Sequence, residues 1–153
     1  MTTWGDPREK LMKESDLQTA IVDAAEHRGW LVYWLPDWLY KLAIQSMARR
    51  RRGDREWSPP GFPDLVLCQG LMDSRTPVRL IFMELKSKKG TVRFPQQRWM
   101  KALLRIPGVE VYALRPSDWL DGTVDRILDV GPIPDHPGTL KELERIIHEP
   151  QDG

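Results

Sequence analysis

Apolar residues recur at three- and four-residue steps from Glu14 to Arg28, through Leu17, Ile21, Ala24 and Ala25, and Gly29 follows. This spacing predicts an amphipathic helix closed by that glycine. Trp30 to Leu35 (WLVYWL) is short, aromatic and β-branched, lies between Gly29 and Pro36, and so reads as a strand. Trp38 to Met47 has helical spacing until it meets Arg49, Arg50, Arg51 and Arg52, where a mobile basic loop is expected. After the turn signal Ser58-Pro59-Pro60-Gly61, Asp64 to Cys68 reads as a second strand and Val78 to Leu85 as a third, with Gly70 to Pro77 as their hairpin connection. Pro95 to Arg105 reads as a helix with Trp99, Leu103 and Ile106 on its apolar face, and Pro95 suits a first turn. Val109 to Leu114 is a fourth strand, followed by a broken helix from Ser117 to Leu128 and, past the prolines at 132, 134 and 137, a last helix from Thr139 to His148. The expected fold is α/β in the order α-β-β-β-α-β, a mixed central sheet flanked by helices.

A chain of 153 residues suits one domain with one core. Residues 1–13 read as a flexible lead, 14–130 as the domain with an insertion at about 38–60, and 131–153 as a C-terminal extension. The 23 basic and 22 acidic residues leave a net charge of +1, so any attraction to a polyanion must come from local clusters. The lone cysteine, Cys68, excludes an internal disulfide and a multi-cysteine zinc site, which fits a reducing cytoplasmic compartment, and Cys68 itself reads as a buried small apolar residue. No apolar run approaches the roughly 18 residues of a membrane span, so no membrane partner is expected. His27, His136 and His148 have no ligand spacing.

Charge changes the picture at the ends of the second and third strands. Glu84 and Lys86 are two apart and so share one face of a strand, while Leu85 points to the core on the other. If the two strands pair antiparallel, Asp64 at the start of one lies beside Glu84 at the end of the next. Two carboxylates that close repel, and one tends to keep its proton. A divalent cation removes the conflict, and oxygen ligands suit Mg²⁺ or Mn²⁺. Each residue also has a plainer explanation: Glu14 as an acid at a helix start, Asp64 as a turn residue after proline, Glu84 and Lys86 as charges on an edge strand. The hairpin geometry, which brings three of them together, argues against three independent coincidences.

Pro63-Asp64 and Glu84-Leu85-Lys86 resemble the signature of the PD-(D/E)XK nuclease superfamily, with a restriction-endonuclease-like core. The finer likeness is to the VRR-NUC family. Glu14-Ser15-Asp16-Leu17-Gln18 resembles its opening helix, and Gly90 to Trp99 (GTVRFPQQRW) resembles the glycine and Gln-x-x-Trp that follow its catalytic strand. The resemblance spans about Glu14 to Arg115 and departs from the family pattern at the 38–60 insertion. It implies Asp64, Glu84 and the Leu85 carbonyl as metal ligands, with Glu14 completing the outer coordination. It further implies Lys86 as the catalytic lysine and Gln96 as a contact to lysine, water or phosphate, with Gln97 as its rival.

The expected activity is Mg²⁺-dependent hydrolysis of DNA phosphodiesters, with Mn²⁺ able to substitute. Stand-alone members of this size resemble junction resolvases, so branched DNA and a homodimer, with a part in repair or recombination, are the expected substrate and assembly. Flap or single-strand-junction cleavage, RNA cleavage and a non-catalytic DNA-binding module are the alternatives. Arg49, Arg50, Arg51, Arg52 and Arg55, then Lys88, Lys89, Arg93 and Arg98, flank the site and are the expected phosphate contacts, charge runs being otherwise ordinary solvated surface. Trp38 and Trp57, beside the arginines, are candidates for stacking on bases, and Trp30, Trp34, Trp99 and Trp119 read as core.

Overall fold

The computed structural model describes residues 6–36, 39, 42, 61–69 and 78–131. The arginine run, Trp38, Trp57, the Gly70 to Pro77 connection and the expected helix from Thr139 to His148 lie outside the described residues. Along the chain come α1 (Pro7–Leu11), α2 (Glu14–His27), β1 (Trp30–Trp34), β2 (Leu65–Gln69), β3 (Leu80–Leu85), α3 (Phe94–Leu104), β4 (Val109–Leu114), α4 (Pro116–Leu120) and α5 (Thr123–Asp129). The four strands lie in the order β1-β2-β3-β4. The β1–β2 and β2–β3 pairs are antiparallel and β3–β4 is parallel. Parallel neighbours need a crossover, and α3 supplies it. The mixed sheet flanked by helices is the architecture the hydrophobic pattern implies.

Strand β3 is covered on both sides because its residues alternate between two cores. On one face Ile81, Met83 and Leu85 join Leu17, Ile21, Val22 and Ala25 of α2 and Val124, Ile127 and Leu128 of α5. On the other face Phe82, with Val111 and Ala113 of β4, meets Met100 and Leu103 of α3 and Val92. Gly29, at φ +78°, lets the chain turn from α2 straight into β1.

Several expectations change. Within the lead read as flexible, Pro7–Leu11 is helical: Asp6 accepts the Arg8 amide at 2.9 Å as an N-cap and Pro7 occupies the first turn. The broken helix is two helices, α4 and α5, separated by Gly122 at φ +82°. The buried face of α3 runs through Met100 and Leu103. Ile106 is exposed beyond its end, and Trp99 packs edge-on against Phe62. Trp30 is buried as expected, but Trp34 is 39% exposed because β1 is the edge strand. Cys68 is half-buried.

Candidate active site

The pairing of β2 with β3 sets Leu65 opposite Met83, which carries Asp64, one residue before β2, to the end of β3 where Glu84 and Leu85 lie. The Leu85 amide donates to Asp64 Oδ2 at 2.7 Å. Glu84 occupies the α3 face of β3, next along from Phe82, whereas Leu85 enters the α2 core. Glu84 is 1% exposed and Lys86 7%. The Lys86 ammonium lies 2.7 Å from Glu84 Oε1, and the Lys86 amide donates to the Leu114 carbonyl of β4 at 2.9 Å.

Gln96 comes to the same carboxylate from α3. Its Oε1 accepts the Arg93 amide at 2.8 Å, closing the helix N-terminus in the manner of a capping box, which turns Nε2 toward Glu84 Oε1, to which it donates. Gln97 instead donates to the Val92 carbonyl at 3.0 Å, so of the two glutamines it is Gln96 that meets Glu84.

Burial pushes the Glu84 carboxyl up from its ordinary 4.5 to about 7, and the neighbouring Asp64 charge adds to the rise against the pull of Lys86. Asp64, though an exposed residue, is also raised, first by desolvation of its carboxylate, although the Leu85 amide and Lys86 oppose it. The negative charge of Glu14 raises both. Glu84 Oε2 is buried with no hydrogen-bond partner among the described residues. Such an oxygen costs on the order of 1–3 kcal/mol unless something satisfies it. An orphaned carboxylate oxygen beside a second carboxylate that would rather not ionise is the donor set a hard divalent cation fits. Among the described residues, no group of three or more His, Cys, Asp and Glu side chains stands ready to hold a metal. Asp64 and Glu84 are thus the close pair. Glu14, exposed at the start of α2, engages the Ser87 amide at 2.7 Å.

A pH dependence follows for the metal-free protein. The folded pKa of Glu84 lies above its unfolded value, so its contribution to stability is fully present below about 4.5 and is lost as pH rises to about 7. The loss is of order 3 kcal/mol. In EDTA, the melting temperature should fall between pH 5 and pH 7.5 in wild type, and by much less in Glu84→Gln, with thermal scans as the measurement. A parallel fall in the two proteins would contradict the assignment.

The structure also assembles parts that sequence reasoning missed. Gly61, at φ +91°, lies against the backbone of Pro95 and Gln96, where a Cβ would come within 2.5 Å of the Gln96 nitrogen. Phe62 packs edge-on with Trp99 of α3 at 4.9 Å and with Phe82 of β3 at 6.1 Å. Gly61 and Phe62 therefore fix the approach to Asp64 against both elements that carry its partners. Arg115 Nη1 donates to the carbonyls of Ser87 and Gly90, at 2.8 and 2.7 Å, holding the turn that leaves Lys86. The glycine after Pro59-Pro60 was a turn signal, but its close approach to α3 had no local signature, and Arg115 had none at all.

Of the cations expected to meet phosphate, Lys89, Arg93 and Arg98 are exposed, while Lys88 is engaged with Glu9 of α1 at 2.9 Å. No helix among the described residues is long and apolar enough to cross a membrane.

Comparison with curated proteins and with solved structures returned no match. The family model described as the VRR-NUC domain matches residues 12–118, a span that runs from the start of α2 through the carboxylate pair and Gln96 to α4. The chain therefore belongs to the VRR-NUC family of the PD-(D/E)XK nuclease superfamily.

Proposed function

We propose that this protein is a Mg²⁺-dependent, structure-selective endodeoxyribonuclease that acts on branched DNA as a homodimer, with residues 14–130 as its nuclease domain and 131–153 as an extension. The observation that carries the reading is the buried Glu84 Oε2, without a hydrogen-bond partner among the described residues, beside Asp64, with Lys86 on the other oxygen of the same carboxylate. Asp64, Glu84 and the Leu85 carbonyl are the proposed ligands, with Glu14 in the outer coordination. A divalent ion held there supplies positive charge that polarises the phosphodiester and eases ionisation of the attacking water.

The chain's own residues do the rest. Asp64 is oriented by the Leu85 amide, and Glu84 is held by Gln96 and Lys86, so neither carboxylate must reorganise when phosphate arrives. Lys86 orients the attacking water and offsets negative charge developing on the phosphate. Lys89, Arg93, Arg98 and the arginines at 49–52 and 55 neutralise backbone phosphates without reading sequence, which suits recognition by shape, while Lys88 is held by Glu9. A four-way junction presents two symmetric strands, hence the homodimer.

The test is incubation with labelled four-way junction, flap, duplex and RNA substrates in Mg²⁺, Mn²⁺ or EDTA. Metal-dependent cutting of a branched DNA is expected. Cutting in EDTA, or of RNA alone, would overturn the proposal. Replacing Arg49 to Arg52 with alanine should lower affinity and flatten the dependence of binding on salt, the slope on duplex changing by up to roughly 0.9 for each phosphate no longer neutralised. An unchanged slope in a salt titration would remove that segment from the DNA interface.

A further inference from the structure

An exposed aromatic residue on the first turn of α3 has no part in either core. Phe94, on the first turn of α3, is 54% exposed, and Phe62 is 39% exposed although it forms T-shaped pairs with Trp99 and Phe82. An exposed phenylalanine alone is ordinary. These two flank one seam: Gly61, next to Phe62, lies against Pro95, next to Phe94. Phe62 stands two residues before Asp64 in the chain, and Phe94 stands on the same first helical turn as Gln96, whose amide touches Glu84. Close to Phe94 along the chain, Lys89, Arg93 and Arg98 are exposed cations. Accessible aromatic faces set among cations are what single-stranded nucleic acid requires, because every base has a face to stack while the cations meet the backbone.

We propose that Phe94, with Phe62 beside it across the Gly61–Pro95 seam, forms a stacking platform for an unpaired nucleobase next to the phosphate that is cut. This rests on the nuclease reading and supplies what shape-blind phosphate contacts lack, a preference for DNA that offers an unstacked base. A continuous duplex keeps its bases stacked on each other and gains nothing from the platform, whereas a branch point or a single-strand junction has already lost that stacking.

The experiment measures binding to a flap carrying 2-aminopurine at the branch point and to a duplex of the same length, by fluorescence in EDTA so that no cutting intervenes. Wild type should quench or shift the 2-aminopurine signal and prefer the flap. With the stacked base lost, Phe94→Ala should reduce the flap-to-duplex affinity ratio by about tenfold. Phe94→Leu should reduce it nearly as much, although its side chain is still apolar, and Phe94→Trp should restore it. Equal ratios in wild type and Phe94→Ala, or full retention in Phe94→Leu, would overturn the platform. If that happens while wild type still cuts branched DNA in Mg²⁺, the nuclease reading stands without it. If wild type neither binds nor cuts DNA, both fall.

Discussion

Lys86→Ala should lower single-turnover cleavage of branched DNA by on the order of 10²–10⁴-fold, the range spanned by a positioned proton-transfer or charge-stabilising group. Lys86 is 7% exposed and its ammonium sits 2.7 Å from Glu84 Oε1, so it acts there as a fixed, largely desolvated charge. Removing it leaves the Glu84 carboxylate, among the described residues, with Gln96 alone on Oε1 and no hydrogen-bond partner on Oε2, which favours the protonated form of Glu84. The variant should therefore need a higher pH or more Mg²⁺ to reach its own maximal rate. Rates measured at several pH values and Mg²⁺ concentrations separate the two consequences. A wild-type rate in the variant would remove Lys86 from the reaction, whereas a low rate with an unchanged pH and metal profile would mean that Lys86 leaves the Glu84 carboxyl untouched.

Gly61→Ala should be nearly as damaging to cleavage, though Gly61 holds no charge. The new methyl would meet the backbone of Pro95 and Gln96, which cannot swing aside as a side chain would, and φ +91° strains any residue with a Cβ. The backbone conformation alone costs about 1–3 kcal/mol. Relief must come from moving the Gly61–Asp64 segment or the start of α3, and either motion separates Asp64 from the Glu84–Gln96 pair. A displacement of about 1 Å can cost roughly 10²-fold in rate. Gly29→Ala is the control: φ is +78° there too, but nothing lies within 4 Å of the added carbon. It should lower the melting temperature through strain while cleavage by the folded protein persists. Comparable cleavage by the two variants would show that the close approach at Gly61 does not align the site.

The strands and helices were legible because their periods are clean. Leu17, Ile21 and Ala25 fall on one helical face and do pack there, and β3 reads as a strand because its Ile81, Phe82 and Met83 enter the two cores in turn. The meeting of Asp64 with Glu84 was legible too, since antiparallel pairing joins the start of one strand to the end of the next. Contacts between elements distant in sequence were not. Nothing near Gly61 announces that Pro95 lies against it, and nothing near Arg115 that Ser87 and Gly90 need its hydrogen bonds. Trp34 and Ile106 went wrong for a related reason: apolar character does not reveal which strand will be the edge or where a helix stops. That Gln96 rather than Gln97 contacts Glu84 follows from the capping geometry of α3, which spacing alone left open.

The most direct test of the cation site at Asp64 and Glu84 is titration of Mn²⁺ into wild-type and Glu84→Gln protein, with free ion followed by electron paramagnetic resonance. Glu84→Gln keeps the shape of the side chain and removes the charge that an oxygen-ligated cation requires. Saturable binding by wild type, weakened at least about tenfold in the variant, is the expected result, one carboxylate ligand being worth well over the 1.4 kcal/mol of a tenfold change. Equal Mn²⁺ binding by the two proteins, or none by wild type, would contradict the account.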